Sequence, residues 1–398
     1  MIVITFVADP AGRAGPADRV VAVERGRVLV VGGGIGGLST AIALADAGFG
    51  VRVVELRENL HSSVYGVGII QPANALRALD AIGCAEACLA AGYATTAWGR
   101  MLDVDGNPVR DMPGARIPGF PPMNGLTRPS LHGILTDRAL AAGVSLCYNT
   151  TFTELDNGRD GVGVVFDDGT EDVFDLVVGA DGVRSQVRRY VLREDLRPVY
   201  LGQSAFRVNI PREPEIDRII LQHGPGGIVG FVPIGPELAY LFYNTTWPEG
   251  RRLGRDELAG ELRRHLAPFG GLTARVRENL ADDAEIVFRP EEWLIAPAPW
   301  HRGRIVLIGD AVHAITPHLG QGAAQAIEDG VVLADCLRRA TDLDEAFTEY
   351  TGRRYERCKL IVESSKAIGE FEMDPAAHPR FDHAGLTQHV LQEMALPV

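Results

Sequence analysis

Near the start of the chain, the apolar positions predict a strand, a helix and a second strand in close succession. The short apolar run 27–31 is bounded by glycines, as a buried parallel strand is. Residues 38–47 then read as a helix that ends at Gly48, and residues 51–54 as the next strand. This order of elements predicts a βαβ unit.

The pattern changes in the middle of the chain and returns to α/β near the end. Residues 199–286 are rich in strands, and a second strand–turn–helix unit begins at Arg304. Further predicted elements are helices at 74–82, 128–142, 256–266 and 323–339 and strands at 162–166, 173–178 and 238–243. The α/β segments bracket a β-rich middle, so one sheet is assembled from distant parts of the chain.

A chain of 398 residues is too long for one ordinary core, so two domains are expected. We predict an α/β fold in which a Rossmann-like nucleotide-binding domain is interrupted by a β-sheet domain. The predicted divisions are an N-terminal arm at 1–26, the nucleotide-binding domain at 27–95, 127–195 and 287–370, the β-sheet domain at 96–126 and 196–286, and a C-terminal tail at 371–398.

Composition and charge narrow the class of protein. The formal charge of −13 argues against nucleic acid as a partner, because a phosphate-binding face is basic. No apolar run approaches the roughly 18 residues of a membrane span, and the first residues lack the basic start of a signal peptide. Five cysteines without a CxxC pair favour a reducing, cytoplasmic location.

The first chemical motif is a glycine-rich turn, GGGIGG at residues 32–37, between the first strand and its helix. Gly32 permits the tight turn, Gly34 lets the backbone approach a pyrophosphate, and Gly37 lets the helix lie close to the strand. Glu55 ends the second strand, where a carboxylate can accept hydrogen bonds from ribose hydroxyls. We therefore predict a dinucleotide site; a glycine turn that serves packing alone is the alternative.

Two longer motifs resemble those of a known family. Residues 175–185, DLVVGADGVRS, resemble the "DG" motif of FAD-dependent aromatic hydroxylases. Residues 309–329 contain GDAVH, then Pro317, GQGA and AIED, and resemble the family's "GD" motif. With the glycine turn, the three motifs stand in the family's order and spacing. The chain is therefore similar to the class A flavoprotein monooxygenases, which include relatives of p-hydroxybenzoate and salicylate hydroxylases.

The resemblance implies a glutathione-reductase-like FAD domain with bound FAD. In the family, NAD(P)H reduces the flavin, O2 adds at flavin C4a, and the resulting hydroperoxide hydroxylates an electron-rich aromatic ring. No second GxGxxG follows a strand, so NAD(P)H is expected as a co-substrate that docks transiently. The implied partners are a small phenolic or aromatic-acid substrate, O2 and NAD(P)H, with the protein a monomer or a homodimer.

The resemblance also assigns residues to FAD. Asp310 follows a buried strand and suits a ribityl or ribose hydroxyl, although it could be only an N-cap. The helix that begins in GQGA presents free N–H groups to the flavin, although a plain glycine start is the alternative. Arg128 could be a surface charge, and the glycines around Asp181 could be plain turn residues. The full set expected to bind FAD is Gly32, Gly34, Gly36, Gly37, Glu55, Leu56, Arg57, Gly68, Arg128, Asp181, Asp310, Pro317, Gly320, Gln321, Gly322 and Ala323.

In the β-rich middle, three residues are candidates for substrate contact. His223 could deprotonate a phenol, Arg207 could bind an anionic group, and Tyr243 could contact the ring. The alternative for each is a satisfied strand residue. His378, His383 and His389 match no metal-site spacing and lie in a polar tail, so we expect them to be solvated and expect no metal site.

Three rivals share the FAD motifs. A flavin-dependent halogenase needs a tunnel lysine and a WxWxIP segment, which the sequence lacks; both lysines, Lys359 and Lys366, lie in the C-terminal helix. An FAD-dependent reductase or dehydrogenase, and a flavin-binding redox protein without turnover, stay open. The sequence does not disclose the substrate, the choice of NADH or NADPH, or whether hydroxylation is decarboxylative.

Overall fold

The computed structural model describes residues 26–59 and 67–398. The predicted N-terminal arm therefore lies outside the described residues, apart from Gly26. The strands are β1 (Arg27–Val31), β2 (Gly50–Glu55), β3 (Gly68–Pro72), β4 (Tyr93–Ala94), β5 (Gly99–Leu102), β6 (Pro108–Met112), β7 (Met123–Thr127), β8 (Ser145–Tyr148), β9 (Phe152–Asn157), β10 (Val162–Phe166), β11 (Glu171–Phe174), β12 (Leu176–Gly179), β13 (Val199–Pro211), β14 (Ile219–Gly224), β15 (Gly227–Pro233), β16 (Leu238–Thr246), β17 (Val287–Trp293), β18 (His301–Arg302) and β19 (Ile305–Leu307). The helices are α1 (Ile35–Asp46), α2 (Ala73–Ala81), α3 (Ala85–Ala91), α4 (Arg128–Ala141), α5 (Val187–Leu192), α6 (Leu258–Leu266), α7 (Gly271–Asn279), α8 (Asp310–His313), α9 (Gly322–Arg339), α10 (Leu343–Met373) and α11 (His383–Ala395).

The larger domain is built on a six-stranded sheet of order β18-β19-β12-β1-β2-β8. The strands are parallel except at the β18–β19 edge. In β1 the run Val28–Val31 is buried almost completely, and β12 is buried throughout, because helices cover both faces of a parallel sheet. The predicted βαβ unit is present as β1, α1 and β2.

Close helix packing places the two helix starts side by side. A Cβ on Gly36 of α1 would approach Cβ of Ala326 of α9 to 3.1 Å, and a Cβ on Gly330 would approach Cα of Thr40 to 2.7 Å. Glycine therefore lets α1 and α9 approach at two levels. This arrangement brings the glycine turn at 32–37 and the run 320–323 to one edge of the sheet.

The second sheet has seven strands in the order β17-β13-β16-β15-β14-β5-β6. Its two faces differ because side chains alternate along each strand. One face, here called the inner face, carries Gln203, Arg207 and Tyr240 toward α10 and the larger domain. The other, here called the outer face, packs residues such as Phe206 and Leu241 onto α6 and α7.

Two small antiparallel sheets complete the fold: β3-β7-β4, and β11-β10-β9. No helix among the described ranges is long and apolar enough to cross a membrane.

Three elements differ from the prediction. The single strand predicted at 173–178 is two strands in different sheets, β11 and β12, which separate at Asp175. The carboxylate of Asp175 accepts a hydrogen bond from the backbone N–H of Arg27 at 2.7 Å. The strand β17 pairs with β13 and so belongs to the seven-stranded sheet, here called the substrate sheet after the substrate contacts that the sequence predicts on it. The predicted boundary at residue 287 therefore moves to the end of β17. The predicted polar tail contains α11, a packed helix in which Val390 is fully buried.

Candidate functional site

At the glycine turn, the backbone forms an open site at the start of α1. Gly32 has φ of +110°, and a Cβ there would collide with the carbonyl of Ala180. Gly37 needs glycine because a Cβ would collide with the carbonyl of Gly32. Gly34, the N-cap of α1, is exposed and faces open space, and no side chain caps the helix. The free N–H groups of α1 are thus available to an anion.

Glu55 stands beside this turn. Its carboxylate accepts from the backbone N–H of Gly33 and of Arg57, both at 2.9 Å. Each oxygen retains a lone pair, so the carboxylate can also accept from a ribose hydroxyl. Leu56 and Arg57 are exposed just beyond it.

Asp310 lies at the same sheet edge, at the start of α8. Its carboxylate is exposed to water, yet burial by the surrounding protein raises its pKa, with His313 and Arg128 opposing that shift. A carboxylate that water can reach but that is surrounded by protein on most sides lies on the wall of a cleft, and this is the position of Asp310. No hydrogen bond from the described part of the chain occupies this carboxylate.

Arg128, the first residue of α4, faces the same cleft. It is exposed, but burial lowers its pKa while the charge of Asp310 raises it. Arg207 and Tyr240 of the substrate sheet also interact electrostatically with Arg128. Arg128 therefore lies near Asp310 of the larger domain and near Arg207 and Tyr240 of the seven-stranded sheet, and we call the space between these side chains the shared cleft.

The segment before α9 offers backbone groups. Pro317 is exposed, Gly320 has φ of +61°, and a Cβ on Gly322 would meet only open space. The Gln321 side chain is fully buried, and its amide exchanges hydrogen bonds with Asn74 at 3.1 and 3.2 Å. Gln321 can therefore meet a ligand through its backbone, while its side chain faces away.

Two other predicted FAD residues have clear structural roles. The carboxylate of Asp181 accepts from the backbone N–H of Gln186 at 2.6 Å and of Val187 at 3.1 Å, so it caps α5. The chain at Asp181 still lies against the glycine turn, close to Gly32. Gly68 lies so close to Tyr240 that a Cβ would collide with the ring, and it is needed there for domain packing.

Behind the site lies a group of charges in which each carboxylate is paired with cations, here called the Arg354 cluster: His313, Glu328, Asp329 and Arg354. Arg354 donates to Asp329 at 2.7 Å and to Glu328 at 2.6 Å, and all three side chains are buried. Asp329 also accepts from the backbone N–H of Gly309 at 2.7 Å and lies 2.6 Å from Nε2 of His313. These bonds fix the turn that presents Asp310.

Charges within the Arg354 cluster compensate one another. Burial alone would raise the pKa of Asp329, but His313 and Arg354 outweigh it and the pKa is lowered. His313, Asp329 and Cys358 bring ligand-type atoms within 4.8 Å of one another, but Arg354 already supplies the cation that the carboxylate requires.

On the substrate sheet, the structure separates the three predicted contacts. Arg207 lies on the inner face, in the shared cleft with Arg128. Tyr243 lies on the outer face, where it is buried among aromatic rings and donates to the carbonyl of Gly226 at 3.0 Å. The structure therefore does not bring Tyr243 to the cleft, and its assignment as a substrate contact is withdrawn.

Tyr240, three residues earlier, occupies the inner face instead. Burial raises its pKa to about 12, with Arg207 and Arg128 opposing the shift, so the phenol stays protonated at neutral pH. The two-residue alternation at 238–243 already placed Tyr240 and Tyr243 on opposite faces. The packing of the two domains decides which of these faces lines the cleft, and the strand pattern alone does not determine it.

His223 also lies on the inner face, but its neighbours are Phe371 of α10 and His383 of α11. Its strand β14 is three strands away from β13, which carries Arg207, so roughly 14 Å separate the two positions. His383, expected to be solvated, is buried, because α11 folds back over the sheet.

Comparison with known proteins decides the family. The family described as "FAD binding domain" matches residues 25–365. The chain belongs to the FAD-dependent aromatic hydroxylases. Among its relatives in this family is the putative FAD-dependent monooxygenase YetM of Bacillus subtilis, 31% identical over 86% of this chain and 92% of its own length. Another is the 2-heptyl-3-hydroxy-4(1H)-quinolone synthase of Pseudomonas aeruginosa, 34% identical over 86% and 88%.

Solved structures of the family agree in fold. PqsL of P. aeruginosa, solved with 2-aminobenzoylacetate, is 25% identical, with a TM-score of 0.78 over 90% of this chain and 98% of its own. HpxO of Klebsiella pneumoniae, solved with FAD and uric acid, has the same fold, with 24% identity and a TM-score of 0.79 over 93% and 92%.

The family's FAD fits the residues of this chain. The uncapped start of α1 at Gly34 suits the pyrophosphate, and Glu55 suits the ribose. Asp310, a carboxylate without a hydrogen-bond donor from the described residues, suits a hydroxyl of the ribityl chain. The second uncapped helix start, at Gly322, suits the end of the flavin that becomes negative on reduction.

Proposed function

We propose that this protein is an FAD-dependent monooxygenase that hydroxylates a phenolic or aromatic-acid substrate with NAD(P)H and O2. The observation that carries the proposal is the cleft shared at Arg128. On one side Asp310 belongs to the FAD half, and on the other Arg207 and Tyr240 belong to the substrate sheet. A ring bound against the sheet would therefore lie beside the flavin.

The names of the relatives support the substrate class. Aromatic or heteroaromatic compounds with polar substituents are associated with three of these proteins. They are the quinolone of the synthase, 2-aminobenzoylacetate bound to PqsL and uric acid bound to HpxO. A cleft that contains two arginines and a neutral phenol group suits such a ring with an anionic substituent.

FAD, when bound, accepts hydride and activates oxygen, and this chain's residues provide the surroundings. Arg207 pairs with an anionic group and fixes the position of the ring. Tyr240 can donate a hydrogen bond from its protonated hydroxyl. Tyr240, which is 7% exposed, and the sheet that carries it shield one side of the cleft from water, as the oxygen chemistry requires.

His223 stays a candidate for accepting a phenolic proton. Burial lowers its pKa, with Glu372 opposing, which favours the neutral imidazole that a base requires. Because His223 lies roughly 14 Å from Arg207 across the sheet, a single-ring substrate cannot contact both. The proposal therefore assigns His223 a catalytic part only for an extended or fused-ring substrate.

NAD(P)H is proposed as a co-substrate that docks transiently, since the sequence contains a single GxGxxG unit. A monomer or a homodimer in the cytoplasm is the assembly and location that we propose.

The test is a screen of the purified yellow protein. Phenols, aromatic acids and fused-ring compounds are added while NADH and NADPH oxidation and oxygen uptake are followed. We expect an acceptor that stimulates oxidation and gains one oxygen atom, as detected by mass spectrometry. Stimulated oxidation without an oxygenated product would identify a reductase, and an inert, colourless protein would contradict the FAD assignment.

A further inference from the structure

Five ionisable side chains that the FAD site does not use meet on the inner face, where α10 and α11 cover it. They come from five different elements, and we call them the acid–histidine cluster: His223 of β14, Glu291 of β17, His318 of the turn before α9, Glu372 of α10 and His383 of α11. Glu291, Glu372 and His383 are 3%, 8% and 6% exposed, so the charges here are sheltered from water.

At the centre of the cluster is His318, the neighbour of Pro317. Its Nε2 lies 3.4 Å from Oε2 of Glu291 and 3.5 Å from Oε2 of Glu372. Burial lowers the pKa of His318, but the two carboxylates outweigh burial and the pKa is raised. The same nitrogen lies 3.0 Å from Oε1 of Gln203, so an imidazolium here donates to the amide oxygen with a carboxylate on each side at ion-pair distance.

The two carboxylates differ in their partners. Glu372 accepts from Nδ2 of Asn244 at 3.3 Å and from Nε2 of Gln203 at 3.4 Å. Glu291 accepts no hydrogen bond from the described residues at either oxygen, although its side chain is only 1% exposed. Burial raises its pKa, with His318 and Arg207 opposing.

The second charged neighbour of Glu291 is Arg207, whose Nη2 lies 3.9 Å from Oε1. That distance is too long for a hydrogen bond, so the pair is held by charge alone. Arg207 is 21% exposed and opens toward the cleft. Glu291 therefore stands between a cation that faces the substrate and a cation that adjoins the flavin turn.

Stability does not explain Glu291. A buried carboxylate without hydrogen bonds carries a desolvation cost, and an apolar residue of similar size would pack there at least as well. Buried ionisable groups with strongly perturbed pKa values cluster at functional sites.

We propose that Glu291 is a positioning residue that also determines specificity: it is one buried anion shared by Arg207 and His318, and an anionic substrate competes with it for Arg207. The second half rests on the proposed function. Glu291 holds the guanidinium in place but weakens its attraction for anions, so only a group that approaches Arg207 in good geometry displaces the contact.

The titratable and charged groups near Glu291 come from three parts of the chain. Tyr200 and Arg207 come from β13, His318 from the turn before α9, and Glu372 from α10. Behind Glu372 lie His223 and His383. Removing the Glu291 charge leaves His318 with Glu372 alone, so the His318 pKa must fall.

The experiment compares Glu291→Gln with Glu292→Gln in the FAD-loaded protein. Glu292 is the matched control: it is the next residue of β17, alternates to the other side and pairs with surface Arg184 at 2.7 Å. Histidine-labelled protein is titrated by NMR, and the His318 signal is assigned with His318→Gln. We expect the His318 titration to move to lower pH in Glu291→Gln and to stay in place in Glu292→Gln.

A second readout uses 4-hydroxybenzoate and 4-hydroxybenzamide, an anionic and a neutral probe of the same shape, with binding followed by flavin absorbance. In Glu291→Gln the dissociation constant of the acid, divided by that of the amide, should fall roughly threefold to tenfold, because the anion that competes for Arg207 is gone. For an accepted aromatic acid, KM should fall and kcat should fall as well, because Arg207 loses its anchor. Glu291→Asp should restore part of kcat.

An unchanged His318 titration overturns the shared anion, whatever the enzyme turns over. A shifted titration with an unchanged acid-to-amide ratio overturns the specificity role. Absence of oxygenated product from any aromatic compound, with the titration shifted as expected, counts against the proposed function and leaves the placement of Glu291 supported.

Discussion

The two buried charge clusters differ in how completely their members are paired. In the Arg354 cluster every carboxylate has hydrogen-bond donors, and the pKa values of Glu328 and Asp329 are lowered despite their burial. In the acid–histidine cluster Glu291 has no donor among the described residues, and its pKa is raised. The paired cluster therefore stabilises the turn that presents Asp310, whereas the incomplete cluster keeps a buried carboxylate that lowers stability.

The largest expected effect comes from breaking the paired cluster. Arg354→Met removes the cation that both buried carboxylates share and leaves Glu328 with Arg357 and Asp329 with His313. The free energy of unfolding should fall by about 3 kcal/mol. The neighbouring Arg353→Gln is the control, because Arg353 pairs with Asp335 at 2.8 Å near the surface and should cost less than about 1 kcal/mol. Urea unfolding measures both; equal losses would show that Arg354 has no special part.

A smaller loss should follow from removing either carboxylate that is expected to bind FAD: Asp310, whose turn the paired cluster fixes, or Glu55, which lies outside that cluster. Glu55→Ala and Asp310→Ala each remove an acceptor for an FAD hydroxyl, so the FAD dissociation constant should rise roughly tenfold to a hundredfold. Fluorescence of released flavin measures the change, with exposed Glu58→Ala as the control. If both variants retain full flavin, the cofactor assignment is wrong.

On the substrate sheet, two substitutions on opposite faces separate function from packing. Arg207→Gln should lower kcat/KM for an aromatic acid by roughly tenfold to a hundredfold, because a charge-assisted contact is lost. Tyr243→Phe removes only the bond to Gly226 on the outer face and should leave kcat/KM unchanged. Steady-state kinetics on the two variants measures both effects. A loss of activity in Tyr243→Phe but not in Arg207→Gln would contradict the assignment of the inner face to the substrate.

The smallest expected effect concerns the incomplete cluster. Because the folded pKa of Glu291 is raised above its ordinary 4.5, ionised Glu291 lowers stability, and this loss grows as the pH rises through the folded pKa. Glu291→Gln should therefore be neutral or stabilise by up to about 1 kcal/mol at neutral pH, and the difference should vanish below pH 4.5. Unfolding at several pH values measures it; destabilisation comparable to Arg354→Met would erase the contrast between the clusters.

By itself the sequence determined the parts of the protein that depend on local backbone chemistry. The glycine turn at 32–37, the carboxylate of Glu55 and the position of Asp310 after a buried strand each follow from short-range rules, and α1, α4 and α9 begin within about three residues of their predicted starts. Three motifs in order were enough to indicate the family.

Only the tertiary structure decided which side chains reach the cleft. Alternation along a strand separates two faces but does not say which of them meets the other domain. The sequence therefore suggested Tyr243 as the substrate contact, whereas Tyr240 is the tyrosine on the face that meets the cleft. The polar segment at the end of the chain showed no sign that α11 would bury His383 against His223. Glu291, His318 and Glu372 are far apart in sequence, and charges gathered by packing over such distances leave no local pattern to detect.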